Sequence, residues 1–289
     1  MRPLFLMHAE VAGNLQSLLL LEDLRRAFVT HAANPKTGEG RGRLQGVPAS
    51  TERVTGGIPG VEDREVVLLR TEPEAQLLAV IESRHLLAVS RAVVGALAVE
   101  ALAVPDAAHV AVLGASADAS QQLKTLRLVR SLESVRVWDE DITRSQELAQ
   151  RLHQEMGISA AATLSVEEAV RRAEIVLCCS ATANRRLWAT QLVERAHVNV
   201  LAESLTDLGP LGSAPWEGLR IIYEDPALAE AHGSPSLGQV LAAPPDAERL
   251  GEKTAFIGQG LPFQDLVAAW LLYEVLRDDE DVRRLPEDA

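Results

Sequence analysis

Short aliphatic runs alternate along this chain with longer stretches in which apolar residues recur every three or four positions, and the alternation changes character along its length. Residues 15–31 (LQSLLLLEDLRRAFVTH) place their apolar side chains at helical spacing. From Ala32 to Asp63 the chain is rich in Gly, Pro, Thr and charge, which predicts short strands and loops. EVVLLR at 65–70 and QLLAVI at 76–81 read as strands, and the almost unbroken apolar segment from Leu86 to Val104 reads as one long helix. Only Ser90, Arg91 and Glu100 interrupt it, and Pro105, which cannot continue a helix, ends it.

Beyond Pro105 the periods of two and 3.6 take turns. Strands are predicted at 109–113, 135–138, 159–163, 175–179, 198–202 and 220–223. Helices fill the gaps: one running to about Arg130, one over 143–155, and one begun by Ser165, with Glu168 three residues on as a capping box. Strand followed by helix, repeated this often, predicts a parallel sheet with helices on both faces. A last helix over 261–276 carries apolar side chains at Phe263, Leu266, Val267, Trp270, Leu271 and Tyr273 and is expected to pack back onto the N-terminal region. The charged tail from Arg277 is expected to fray.

Composition narrows the classes. Hydrophobic residues make up 47% and charged residues 24%, enough to build cores and too apolar for general disorder. A net charge of −13 repels phosphate backbones and anionic lipid, so neither nucleic acid nor membrane is an expected partner. The two cysteines, Cys178 and Cys179, are adjacent and cannot staple distant segments, which fits a reducing compartment. Pro3–Met7 is too short for a signal core, and no uninterrupted apolar run reaches the length of a membrane span, so the expected location is cytoplasmic. The seven histidines lack metal-ligand spacing, and no metal is expected.

The clearest chemistry lies where the 109–113 strand ends. Gly114-Ala115-Ser116-Ala117-Asp118-Ala119 joins a strand to a helix, the setting of the dinucleotide fingerprint G-x-G-x-x-G/A. Gly114 and Ala119 fit its first and third positions, while Ser116 places a Cβ where a pyrophosphate would approach. Asp118 adds a carboxylate beside the helix N-terminus, where it could cap the helix and would repel an anion. Asp139 ends the second strand 25 residues beyond Gly114, where a carboxylate holds the adenosine ribose and favours NAD over NADP. Two readings stay open: an NAD site built from Gly114, Ala115, Ser116 and Asp139, or a strand–turn–helix that serves structure alone. Ser180 and Thr182 follow a strand at the same edge and are weaker candidates for cofactor contact.

Several segments together resemble the ornithine cyclodeaminase/mu-crystallin family. GGIPG (56–60) resembles its Met-Pro-Ala/Gly segment, and LLAVSRAVVGALAVEALA (86–103) its long helix, with Arg91 at the arginine. VAVLGASADA matches its G-A-G-x-Q-A loop, and AEIVLCCSAT (173–182) its A-D-I-V strand, with Ser180 at a threonine position. HVNV (197–200) matches its H-x-N-A, and FIGQGLPFQDLVAAWLLYE (256–274) its Q-D ending, through Gln264 and Asp265. The resemblance implies a Rossmann-type domain over 105–257, carried on a discontinuous α+β dimerisation and substrate domain formed by 1–104 with 258–289. It also implies a homodimer, an NAD-linked deaminase or imino-acid reductase, and a small amino or imino acid substrate. In this reading Arg91 would bind the substrate carboxylate, with Arg41 or Arg43 as a second arginine.

The departures are as informative. Where the family has a catalytic lysine in G-x-K-x-V, this chain has Glu65; where it has a catalytic aspartate after H-x-N-A, the count reaches Ser204, with Glu203 one residue early. A Glu65/Glu203 pair is the remaining acid–base candidate. The usual chemistry is therefore expected to be impaired, and the competing reading is a non-catalytic dimer that binds a ligand or regulates.

Overall fold

The computed structural model describes residues 2–33, 41–44, 47–55, 64–180, 186–201, 216–243 and 252–285, with side chains outside 41–47. The chain divides into two compact units, Met1–Ser90 with Leu261–Ala289, and Arg91–Gly260.

The first unit opens with β1 (Leu4–Leu6), α1 (His8–Asn14) and α2 (Ser17–Ala33), then β2 (Arg41–Leu44), β3 (Val47–Thr55), β4 (Glu65–Thr71) and β5 (Leu77–Glu82). These strands form one sheet in the order β1-β5-β4-β3-β2, antiparallel except for β1 beside β5. The last helix of the chain, α9 (Pro262–Leu276), returns to this unit and packs on α2 and on the sheet, as expected from its apolar positions. Phe263 meets Phe28 edge to face at 5.0 Å and lies 4.8 Å from the His31 ring. The tail, expected to fray, is tied to β1 as far as Leu285. Leu285 N–H donates to Pro3 O, Phe5 N–H donates to Arg283 O, and the Arg283 guanidinium lies 4.7 Å from the Phe5 ring centre. β1 would otherwise expose the unpaired hydrogen-bonding groups of a sheet edge, and the tail covers them.

Along the sequence the two units divide within α3 (Ser83–Leu102), which begins three residues before the predicted start. It is the one described helix long and apolar enough to cross a membrane by length and composition, yet 67% of its apolar window is buried in the protein, as in a core helix.

The second unit is the predicted alternation. β6 (His109–Leu113), α4 (Ala117–Leu126), β7 (Ser134–Trp138), α5 (Ile142–Met156), β8 (Ser159–Ala162), α6 (Val166–Val170), β9 (Ile175–Cys178) and β10 (His197–Leu201) follow one another. Then come β11 (Arg220–Tyr223), α7 (Pro226–Ala231), α8 (Leu237–Ala242) and β12 (Thr254–Gly258). Seven strands, every pair parallel, lie in the order β11-β12-β10-β9-β6-β7-β8. The chain moves outward one way from β6 through β7 to β8, then returns and moves the other way through β9, so the order reverses between β6 and β9. Strands buried on both faces need apolar residues at every position, and β9 (IVLC) and β12 (TAFIG) are buried throughout. β12 was not among the predicted strands. The Ser165 cap also differs in detail: its Oγ accepts from Glu168 N–H at 3.1 Å, but the Glu168 carboxylate accepts from Leu164 N–H, one residue earlier than a reciprocal box would use.

Candidate functional site

Open parallel sheets bind ligands outside the carboxyl ends of their strands where the order reverses. Here that point lies between β6 and β9, and the residues that follow those strands, Gly114 and Ser180, meet there. Gly114 has φ +106°, and a Cβ on it would lie 2.8 Å from Ser180 Cβ and 3.0 Å from the Cys179–Ser180 backbone. No other residue fits. Gly114 N–H donates to Trp138 O at 2.7 Å, tying the loop to the end of β7.

Ser116 is the N-cap of α4, and its Oγ accepts from Ala119 N–H at 3.3 Å. The cap is therefore Ser116 and not Asp118, which stands exposed in the first turn. By helix geometry the first-turn N–H groups of Ala117 and Asp118 have no acceptor within α4. The serine that departs from the fingerprint thus uses one donor of the helix start, and the glycine that matches it makes the required turn.

The Asp139 side chain is 9% exposed. Its Oδ2 accepts from Ala115 N–H at 2.7 Å, and its Oδ1 accepts from Asp141 N–H at 3.1 Å and lies 3.7 Å from Arg144 Nη1. The carboxylate thereby clamps the phosphate-loop candidate to the end of β7, and it retains lone pairs for further donors. Gly114, Ala115, Ser116, Asp139 and Ser180 are thus gathered at one edge of one sheet. Thr182 lies outside the described residues. In its turn and its helix start the loop fits a dinucleotide's pyrophosphate, and it departs at Ser116 and Asp118.

The strand that ends here, β9, closes on Cys178, and Cys179 follows it. Burial pushes the Cys179 thiol up to about 12, with the Asp118 charge adding to it, and Cys178 higher still, so both are held as thiols. Neither is a nucleophile.

Within the same unit, Arg91 is the first residue of α3 that belongs to it and is partly buried. A Cβ on Gly260, whose φ is +83°, would lie 3.7 Å from Arg91 Nε. The Gly260 turn is held by the buried Glu224, whose Oε2 accepts from Gln259 and Gly260 N–H at 2.7 Å each. One turn along α3, Gly95 O accepts from Asn199 Nδ2 at 2.8 Å. His197 Nε2 lies 2.8 Å from Asn199 Oδ1, and its Nδ1 lies 2.8 Å from Thr254 Oγ1. All three side chains are at most 2% exposed. Burial pushes the His197 imidazole down to about 4, against the Asn199 hydrogen bond and helped by the Arg130 charge. Glu224, His197, Asn199 and Thr254 were not among the sequence candidates; a polar residue in an aliphatic strand is the signal that would have found them.

In the first unit, Glu65 begins β4 and is exposed. Glu203 lies outside the described residues, as do GGIPG and Ser204, so their proposed companionship is not described. Arg41 and Arg43 lie on β2, opposite Ser50 and Pro48. A different arginine pairs here: Arg53 of β3 reaches the buried Asp265 of α9 through Nε at 2.7 Å and Nη2 at 2.6 Å. Among the described residues no group of three or more His, Cys, Asp or Glu is placed to hold a metal ion.

An all-parallel sheet with this reversal is the architecture of Rossmann-type α/β domains. Residues 45–280 match the ornithine cyclodeaminase/mu-crystallin family, and the chain belongs to it. An uncharacterized cyclodeaminase of Sinorhizobium fredii is 29% identical over 161 residues, 55% of this chain and 48% of that protein, so the chain spans about half of that relative. The ketimine reductase mu-crystallin of Mus musculus is 26% identical over 223 residues, 72% of this chain and 68% of that protein. The fold is shared with the Thermococcus litoralis Δ1-pyrroline-2-carboxylate reductase solved with NADH and L-proline, at a TM-score of 0.79 and 18% identity over 98% of this chain and 100% of that one. A lysine cyclodeaminase gives a TM-score of 0.78 at 19% identity over 99% of this chain and 95% of that one.

Proposed function

We propose that the protein is an NAD-linked reductase or deaminase of a small amino or imino acid, working as a homodimer. The observation that carries this reading is the Gly114 turn at the sheet's reversal point, held to β7 by the Asp139–Ala115 hydrogen bond. Family membership and the names of the relatives, ketimine and pyrroline-carboxylate reductases, support the substrate class.

In this reading the dinucleotide, when bound, supplies or takes up the hydride. The chain's part is placement. Gly114 would let the backbone turn at the pyrophosphate, the Ala117 and Asp118 N–H groups would be available to it, and Asp139 would hold the ribose hydroxyls and disfavour a 2′-phosphate. Ser180 borders the same crevice. Arg91 holds the substrate carboxylate through a two-pronged guanidinium contact. Glu65 stands where relatives have lysine, so turnover is slow relative to lysine-bearing relatives.

A second reading, a ligand-binding protein without catalysis, is favoured by Glu65 itself and by the exposed Asp118 carboxylate at the helix start. NADH oxidation with Δ1-pyrroline-2-carboxylate, and NAD reduction with L-proline, test the two. Turnover that Arg91→Ala abolishes upholds the enzyme. Dinucleotide binding without turnover of either compound, unchanged by Glu65→Lys, upholds the binding protein and refutes the enzyme.

A further inference from the structure

The buried polar chain from β12 through β10 to α3 has no place in dinucleotide binding, and burying it is costly unless every partner is satisfied. Its directions can be assigned from its end. Gly95 O can only accept, so Asn199 presents its NH2 group there and turns Oδ1 toward His197. The imidazole proton therefore sits on Nε2, and Nδ1 accepts from the Thr254 hydroxyl. Each link is 2.8 Å, and the contact points at Gly95 for a reason: a Cβ there would lie 3.1 Å from Asn199 Nδ2 and 3.4 Å from Leu201 Cδ1. The absent side chain is what lets the amide reach the helix.

Gly95 lies one helical turn after Arg91. The Gly260 turn, where a Cβ would lie 3.7 Å from Arg91 Nε, is fixed by Glu224. Two buried clamps therefore hold backbone near the partly buried Arg91, one from β10 and one from the end of β11.

We infer that His197 and Asn199 are positioning residues: through Gly95 O they set the height of α3 against the sheet and so the place of the Arg91 guanidinium. The inference rests on the reading of Arg91 as the carboxylate anchor. A misplaced guanidinium weakens the grip on a carboxylate and leaves the dinucleotide site, built on β6, β7 and α4, as it was.

Gly95→Ala separates this role from plain structural support, because alanine is the better helix former and the substitution still pushes on Asn199. Asn199→Leu removes the amide outright. Both variants are assayed for NADH affinity, for thermal stability, and for KM and kcat with Δ1-pyrroline-2-carboxylate; the Nε–H resonance of Arg91 is followed in protein labelled with 15N-arginine. Gly95→Ala is expected to raise KM about tenfold with kcat, NADH affinity and melting temperature little changed, and to shift the Arg91 resonance. Asn199→Leu is expected to raise KM at least as far, with a lower melting temperature. An unmoved Arg91 resonance and unchanged KM in Gly95→Ala overturn the inference and leave the functional reading standing. If the wild-type protein does not turn over the imino acid, the functional reading fails first, and the inference falls with it.

Discussion

Replacing Gly114 with alanine tests the site's geometry through stability, independently of any ligand. Two costs are superimposed there. The first is conformational: φ of +106° lies beyond even the left-handed well, and holding a non-glycine residue in such a region costs about 1–3 kcal/mol. The second is steric: a Cβ 2.8 Å from Ser180 Cβ and 3.0 Å from backbone must displace the strand end after β9, at about 1–3 kcal/mol for an overpacked site. Together they give about 2–6 kcal/mol, a large part of the ~5–15 kcal/mol that holds a domain folded. Gly157, the left-handed cap of α5 at φ +66°, is the internal control, because a Cβ there meets nothing within 4 Å. Gly157→Ala is expected to cost only about 1–2 kcal/mol. The assay is urea unfolding of both variants beside the parent, followed by circular dichroism, with m-values compared before free energies are. Equal destabilisation of the two variants would refute the claim that Gly114 is pressed against Ser180.

Arg130 donates to the carbonyls of Val99, Glu100 and Ala103 at 3.0, 3.3 and 3.1 Å, capping the C-terminus of α3 with a cation where the helix dipole is negative. Arg130→Met should cost about 2–4 kcal/mol in urea unfolding, and a loss under about 0.5 kcal/mol would show the contacts to be idle. For His197 the folded value, about 4, lies below the unfolded 6.5, so acid protonates the unfolded chain first. Its contribution is complete above pH 6.5 and is lost as the pH falls from 6.5 toward 4, by about 3 kcal/mol in total. Unfolding midpoints at pH 7, 5.5 and 4, with His197→Gln as reference, check this; parallel pH profiles for parent and variant would contradict it.

The second unit was legible because its elements are local events. β6, β7, α5 and β10 lie within a residue or so of where their periodicity put them, and the 25-residue step from Gly114 to Asp139 located both ends of the clamp that joins them. What escaped the sequence depends on distant partners. β1 is three residues long and exists because β5 lies beside it, and β12 is an apolar pentapeptide next to glycines that becomes a strand by lying between β10 and β11. The Arg53–Asp265 pair joins residues 212 apart, and nothing in the pattern around Arg53 distinguishes it from Arg41 or Arg43. The polar chain at His197 was visible as H-x-N, but its role needs the helix carbonyl that it reaches.

The central claim is that a nicotinamide dinucleotide binds at the carboxyl ends of β6 and β9. Titration with NADH and with NADPH, read by nucleotide fluorescence and by the thermal unfolding midpoint, tests it most directly. NADH should bind at micromolar concentration and more tightly than NADPH. It should raise stability by about 2.7 kcal/mol at one hundred times its dissociation constant, and lose affinity in Asp139→Ala. No fluorescence change and no rise in midpoint with either nucleotide at millimolar concentration would contradict the claim and leave the Gly114 turn a structural element alone.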